Sequence, residues 1–380
     1  MKKSFLALVF LLTGSFGAAA QTPPGALSVE PPAIAARAYL LMDFYSGQTL
    51  LERNAQERIE PASLTKLMTA YLTFTALRQR RLSPYQILPV SERAWRAEGS
   101  RMFIQPGRPV SVDELVRGMI VQSGNDACIA LAEGIAGSEE EFARRMNDMA
   151  RRLGMTNTHF VNATGLPHPQ HYTTAHDLAV LARAIIRDFP EYYAYYSLKE
   201  YTYNNITQAN RNRLLWLDPT VDGMKTGHTE SAGYCLIASA KRNTRLISVV
   251  LGTASESLRA SESQKLLNFG FQNFDTHRLY GRGQAIATLP VWKGGENSLR
   301  IGVADDVYLT LPKGHYQNVK AELVTRRPML APIGSGQPVG ALRLSLQGRP
   351  LAEYRLVALH GVAVANIFKR SWDSLRLWFN

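Results

Sequence analysis

Four residues in three short motifs have the types and spacing for nucleophilic catalysis. Ser63 and Lys66 stand three apart in Ser63-Leu64-Thr65-Lys66, at the head of an apolar periodic run. A helix starting near Ser63 puts both side chains on one face, one turn from each other. A serine hydroxyl is a weak nucleophile until a base takes its proton. A lysine amine serves as that base if desolvation or a nearby cation holds it below its ordinary pKa. The helix N-terminus also favours negative charge on a reacting Ser63. The bland reading is a helix cap beside a solvated lysine, and about one or two Ser-x-x-Lys arise by chance in a chain this long.

The second motif, Ser123-Gly124-Asn125, follows a helix ending near Gln122. As ordinary structure it is a helix C-cap. As chemistry, it puts the Ser123 hydroxyl between two lysines as a proton relay. Asn125 then supplies an amide to hold a substrate backbone or Lys66. The third, Lys225-Thr226-Gly227-His228-Thr229, follows Asp222-Gly223-Met224 and leads into a hairpin. Gly227 lets a substrate chain approach the strand closely, and Lys225 is the second cation. The backbone N–H of His228 with that of Ser63 suits an oxyanion hole. The bland reading here is a turn at a strand end. Each of these tripeptides arises by chance about once in ten such chains, so all three in this order are not an accident.

These motifs need elements to hold them. Residues 39–42 and 49–51 read as a hairpin across a turn at 43–48, and a helix runs from about Ser63 to Arg80. Ser111 to Val121 reads as a helix with Asp113 and Glu114 in its first turn. Ser138 and Glu141 suggest a capping box, with Gly154 ending that helix. Thr174 with Asp177 opens another, which reaches Asp188 before Pro190. Asp188 itself reads as an exposed helix-end residue ahead of any supporting role at the site. Residues 221–253 turn to strands rich in Val and Ile, and a helix over about 257–271 closes this part. Strands at both ends with helices between give a sheet flanked by helices. After about Asp275 short alternating runs punctuated by Gly and Pro (285–292, 307–311, 321–324, 341–346, 354–359) read as a small all-β domain.

The tail differs again. Val364, Ile367, Phe368, Trp372, Leu375, Trp378 and Phe379 share one helical face, with Lys369, Arg370 and Arg376 elsewhere. That pattern suits a helix lying in a membrane interface, set against one packed on its own domain.

The 380 residues suffice for two domains, and 46 % hydrophobic residues exclude a mostly disordered chain. Lys2 and Lys3, the apolar run 5–12 and Ala18-Ala19-Ala20 read as a cleaved export signal over residues 1–20, followed by a Pro- and Ala-rich leader over 21–36. No other segment approaches the roughly 20 apolar residues of a spanning helix. The formal charge of +12 suits an anionic partner such as a phospholipid surface or an acidic polymer. Export and the lack of a concentrated basic run argue against nucleic acid. Cys128 and Cys235 read as two buried thiols rather than a disulfide framework. Eight histidines raise the question of zinc. There is no His-Glu-x-x-His, and His168, His171 and His176 fall in a Pro-containing loop and a helix start, so no metal is expected.

Ser-x-x-Lys, Ser-x-Asn and Lys-Thr-Gly in this order mark penicillin-binding proteins and class A β-lactamases. The chain resembles the low-molecular-mass penicillin-binding proteins of the D-alanyl-D-alanine carboxypeptidase type related to penicillin-binding protein 5. The likeness is carried by residues 61–71, 120–127, 157–160 and 222–240, and extends over the β domain and tail. It implies an α/β fold of the β-lactamase/transpeptidase kind, with an antiparallel sheet flanked by helices. The domains would be a catalytic domain over 37–275, a β-rich domain over 276–363 and an amphipathic, membrane-anchoring helix over 364–380. It implies a serine-type carboxypeptidase that removes the terminal D-alanine of peptidoglycan stem pentapeptides through an acyl-Ser63 intermediate, is acylated by β-lactam antibiotics and needs no cofactor.

In that scheme Ser63, Lys66, Ser123 and Lys225 are catalytic, and Asn125, Thr226, Gly227, His228, Thr229 and Arg259 bind substrate. Arg259, with Thr229, takes the terminal carboxylate, although residues 253–258 depart from the family pattern. The implied place is the periplasm, on the outer face of the cytoplasmic membrane. The rivals are a DD-endopeptidase, transpeptidase or β-lactamase on the same scaffold, and a wall-binding or shape-organising factor. The transpeptidases' extra domain and anchor are missing here, and β-lactamases lack the β domain and tail. Intact Ser63, Lys66, Ser123 and Lys225 argue against an inactive scaffold.

Overall fold

The computed structural model describes residues 29–378. The export signal expected over 1–20, the first half of the leader and Phe379 lie outside the described residues.

The first strand, β1 (Ala38–Asp43), is buried along its whole length. It pairs antiparallel with β2 (Thr49–Arg53). A 3₁₀ turn, Ala62–Thr65, carries Ser63, and α1 (Lys66–Arg78) starts only at Lys66. The expected helix therefore begins one turn later than Ser63. The cause is local: Ala62 has φ +48°, and the Thr65 hydroxyl donates to Ala62 O at 2.8 Å.

Next come α2 (Val112–Val121), α3 (Asn125–Ala136), α4 (Glu139–Leu153) and α5 (Ala175–Asp188). The complete capping box belongs to α2. Ser111 Oγ accepts from the Glu114 N–H, and Glu114 Oε2 accepts from the Ser111 N–H at 2.7 Å. At α4 the box is half made. Ser138 Oγ accepts from the Glu141 N–H at 3.2 Å, but the Glu141 carboxylate turns to Arg144 and Arg145. Gly154, in the left-handed region at φ +82°, ends α4 as expected.

Strands β3 (Val221–Thr229), β4 (Gly233–Lys241) and β5 (Arg245–Thr253) complete a five-stranded antiparallel sheet in the order β2-β1-β5-β4-β3. Because the side-chain period of a strand is two, β1 feeds two cores. Leu40 and Met42 join the helices α1 to α5, while Tyr39 and Leu41 join α6 (Glu256–Asn273) on the other face. Each fully buried Leu contributes about 1.5–3 kcal/mol. The sheet is thus clamped between two apolar layers, with β3 left as an edge.

α6 runs straight into β6 (Phe274–Tyr280). The β-rich part continues with β7 (Ala285–Trp292), β8 (Ser298–Val303), β9 (Val307–Pro312), β10 (Val319–Thr325), β11 (Met329–Leu330), β12 (Pro338–Leu346) and β13 (Arg349–Ala358). Six of these form a sheet in the order β10-β12-β13-β8-β7-β11, and β6 pairs with β9. Asp43, at the end of β1, ties the two parts together. Its carboxylate accepts from the hydroxyls of Ser46, Thr244 and Thr276, the last two at 2.7 Å each.

The tail helix, α7 (Ile367–Trp378), turns its polar side towards the β domain. Asp373 accepts from the Lys293 N–H at 2.7 Å, and Lys369 Nζ donates to Gly294 O at 2.6 Å. Ile367, Phe368 and Trp372 are 70 %, 83 % and 61 % exposed. A helix packed on its own domain would bury that face instead. No helix among the described residues is long and apolar enough to cross a membrane.

Candidate active site

Ser63 sits on the 3₁₀ turn and Lys66 is the first residue of α1, so their side chains meet. Lys66 Nζ lies 3.0 Å from Ser63 Oγ and donates to Thr164 O at 2.5 Å. The Lys66 side chain is fully buried, and burial lowers its pKa to about 8; the Arg211 cation adds to the lowering. Asp126 acts the other way, as Cys128 would only when ionised. Burial pushes the Cys128 thiol up to about 12, so it is uncharged while Lys66 titrates.

The sequence left two causes open for a lowered Lys66, desolvation or a nearby cation, with Lys225 as the second cation of the site. Burial is the larger cause, and Arg211 is the cation that acts on it. Lys225 is buried as well and is pushed well below its ordinary value, first by burial and then by Lys66 and Arg211. Lys225 Nζ donates to Ser123 Oγ at 2.9 Å and to Thr226 O at 3.0 Å. Ser123 adopts φ +60°, an uncommon backbone for a serine, just past the C-cap of α2.

Gly227 has a structural purpose beside the one its sequence suggested. A Cβ there would meet Leu64 Cγ and Pro61 O at 3.2 Å each. The glycine lets β3 pack against the turn that carries Ser63. Gly165 also packs closely on that turn, where a Cβ would lie 1.8 Å from Ala62 O. That turn is held by one more chain of bonds. The Thr65 hydroxyl donates to Ala62 O, so the 2.8 Å contact with His171 Nε2 must be a bond donated by the ring. His171 Nδ1 accepts from the Val161 N–H at 3.2 Å, which fits that tautomer. Burial lowers His171 to about 4, so it is neutral at ordinary pH. Its ring thus serves the Ser63 turn. Among the described residues no group of three or more His, Cys, Asp or Glu could hold a metal ion.

A cavity of about 440 Å³ opens over this machinery. Ser63, Ser123, Thr226, Gly227, His228 and Arg259 line it. Asn125 and Thr229 stand beside it. Asn125 Nδ2 donates to Glu98 O at 2.6 Å, and its buried Oδ1 has no hydrogen-bond partner among the described residues. The Thr229 hydroxyl accepts from the Ala232 N–H at 3.1 Å, closing a turn. Asp188 accepts from Tyr71 OH and Arg187, joining the end of α5 to the middle of α1. Cys128 and Cys235 are separate buried thiols.

Ser100, Arg211, Tyr234 and Glu256 also line the cavity, and no motif in the sequence singled them out. Ser100 is placed by Asp126, whose carboxylate accepts from the N–H groups of Met102, Phe103 and Ile104 and so ties that loop to α3. An aspartate following directly on Ser123-Gly124-Asn125, in the first turn of a helix, was the available signal. Arg211 lies in a loop without periodicity and carried none.

Chemically, the site joins a hydroxyl to a buried amine, a second hydroxyl–amine pair, and two arginines beside a free strand edge. That set suits acyl transfer from a peptide ending in a carboxylate.

Residues 26–255 match the family described as D-alanyl-D-alanine carboxypeptidase, and residues 274–363 match the penicillin-binding protein 5 C-terminal domain. The chain is 42 % identical to the D-alanyl-D-alanine carboxypeptidase DacC of Escherichia coli, over 98 % of this chain and 94 % of that protein. It is 43 % identical to DacA of Haemophilus influenzae, over 92 % and 91 %. The crystal structure of penicillin binding protein 5 from Haemophilus influenzae superposes with TM-score 0.86 at 42 % identity, covering 88 % of this chain and all of that one. Penicillin-binding protein D2 from Listeria monocytogenes, solved in an ampicillin-bound form, superposes with TM-score 0.59 at 32 % identity, over 64 % of this chain and all of that one.

Proposed function

Since this chain belongs to the D-alanyl-D-alanine carboxypeptidase family, an enzyme family of the bacterial cell wall, we propose that Ser63 is its nucleophile and that Lys66, Ser123 and Lys225 move its protons. Ser63 Oγ attacks the carbonyl between the last two D-alanines while Lys66 takes its proton. The backbone N–H groups of Ser63 and His228 hold the oxyanion. Ser123, backed by Lys225, passes a proton to the amine of the leaving D-alanine. Water then hydrolyses the acyl-Ser63 ester. Arg259 and Thr229 meet the terminal carboxylate, and Asn125, Thr226 and Gly227 line the path of the peptide, which extends along the open edge of β3. The observation that carries this reading is the 3.0 Å contact between Ser63 Oγ and a buried Lys66 whose pKa is lowered to about 8.

The test is D-alanine release from a purified stem pentapeptide, run beside cleavage of a cross-linked dimer. Faster release from the pentapeptide supports the reading. Cleavage of the dimer alone would move the reaction to endopeptidase action on the same scaffold.

The protein acts outside the cytoplasm, and we place it in the periplasm after removal of residues 1–20, with α7 on the outer face of the cytoplasmic membrane. The outward apolar face of α7, with Ile367, Phe368 and Trp372 exposed, supports this. Replacing Phe368 and Trp372 with Ser should release the protein from anionic phospholipid vesicles in a flotation assay and leave pentapeptide hydrolysis unchanged. Continued flotation of that variant would remove the helix from this role.

A further inference from the structure

Arg259, the cation assigned above to the substrate's terminal carboxylate, already holds a carboxylate. Glu256 Oε1 accepts from Arg259 Nη2 at 2.6 Å. The two residues are three apart in the first turn of α6, and both line the cavity that contains Ser63. Their exposures differ sharply: the Arg259 side chain is 5 % exposed and the Glu256 side chain 50 %. Arg259 is fixed from several directions. Its guanidinium lies 5.6 Å from the Tyr234 ring centroid, and Nη2 also reaches Arg211 O at 3.4 Å. Among the described residues Glu256 is held only by this pair and by its favourable place at a helix N-terminus. The rigid partner is thus the cation, and the movable one is the carboxylate at the mouth.

An incoming peptide carboxylate needs the same donor face of Arg259. It also meets a like charge in Glu256 while that side chain stays in place. Arg211, which lines the same cavity, has no ion pair among the described residues and is not screened in this way.

We propose that Glu256 is a specificity-determining residue whose carboxylate competes with the terminal carboxylate of the peptide substrate for Arg259. The inference rests on the carboxypeptidase reading for the identity of that substrate. Binding of a carboxylate-terminated ligand then includes displacement of Glu256 into solvent, which its half-exposed position permits. The effect falls on binding, because Glu256 faces the carboxylate end and not the Ser63–Lys66 pair. A ligand without that carboxylate leaves the Glu256–Arg259 pair intact.

The experiment compares the full mature chain with Glu256→Gln. KM for the D-alanyl-D-alanine pentapeptide should fall about five- to tenfold with kcat within about twofold, the scale of a partly exposed charge-assisted pair. Acylation of Ser63 by benzylpenicillin, which bears a carboxylate, should accelerate by a similar factor. Acylation by its methyl ester should not change. In an Arg259→Gln background the Glu256→Gln change should have no further effect on KM. Unchanged KM and acylation together with a lowered Tm would overturn the proposal and leave Glu256 as a helix-end charge; the carboxypeptidase reading would stand. If wild-type protein released no D-alanine but penicillin acylation still responded as described, the carboxypeptidase reading would fall and the competition for Arg259 would stand.

Discussion

Replacing Ser63 with alanine is expected to abolish D-alanine release, lowering kcat by at least about 10⁴-fold, the scale seen when a covalent nucleophile is removed. The same variant should take up no penicillin, read as the loss of the mass increment on the peptide containing residue 63. The fold should survive. Ser63 is only partly buried, and the turn that carries it is held by Thr65, Gly165 and Gly227, none of which depends on the hydroxyl. Lys66 keeps its bond to Thr164 O. A Tm within a few degrees of wild type is therefore expected, which separates lost chemistry from lost structure. Residual D-alanine release above about one per cent, with purity checked by penicillin labelling, would move the nucleophile elsewhere. Ser123 would be the next residue to test, because it has its own amine partner in Lys225.

Much of the site was legible because its chemistry is local in sequence. Ser63 and Lys66 are one turn apart whether the turn is 3₁₀ or α, so the later start of α1 did not disturb their pairing. Three short motifs fixed four side chains, and the strand pattern around 221–253 placed the third motif correctly. What the sequence hid depends on contacts between distant segments. Gly227 and Gly165 look like ordinary turn residues until the Ser63 turn is seen packed against both. Arg211 and Glu256 reach the cavity from a loop and a helix start that share no motif with Ser63.

The fold shows the same division. α3 was missed because residues 125–132 are all buried, so no polar face marks its period. The hairpin of Glu200–Tyr203 and Ile206–Ala209 was missed although its signal was present. Asn204 and Asn205 both have positive φ, the conformation that a two-residue hairpin turn demands. In the tail, the pattern gave the helix but not its mooring. Asp373 and Lys369 grip backbone atoms of the β domain, and backbone partners leave no mark in a sequence.

Replacing Lys66 is the second large effect expected, and its pH dependence carries the mechanism. Lys66→Ala should slow acylation of Ser63 by about 10²–10⁴-fold, the usual contribution of a positioned base. In the wild-type protein burial disfavours the ammonium, so the amine loses its proton at about pH 8 instead of above pH 10. Only the neutral amine can accept the Ser63 proton. The acylation rate should therefore rise about tenfold per pH unit below that point and level off above it. If the driving charge were instead the ammonium, the rate would fall over the same range. Lys66→Arg separates the two cases directly, because a guanidinium keeps the charge and cannot give up its proton at these pH values. It should be about as inactive as Lys66→Ala, with no inflection near pH 8. Substantial activity in Lys66→Arg, or a flat wild-type profile between pH 7 and 9, would transfer the base to Ser123 and Lys225. Lys225 sits beside a hydroxyl at 2.9 Å and is pushed below its ordinary value by the same burial. The two amines differ in which hydroxyl they touch: Lys66 reaches the attacking oxygen, and Lys225 reaches Ser123. That connectivity supports the proposed transfers, from Ser63 to Lys66 and from Ser123 to the leaving amine.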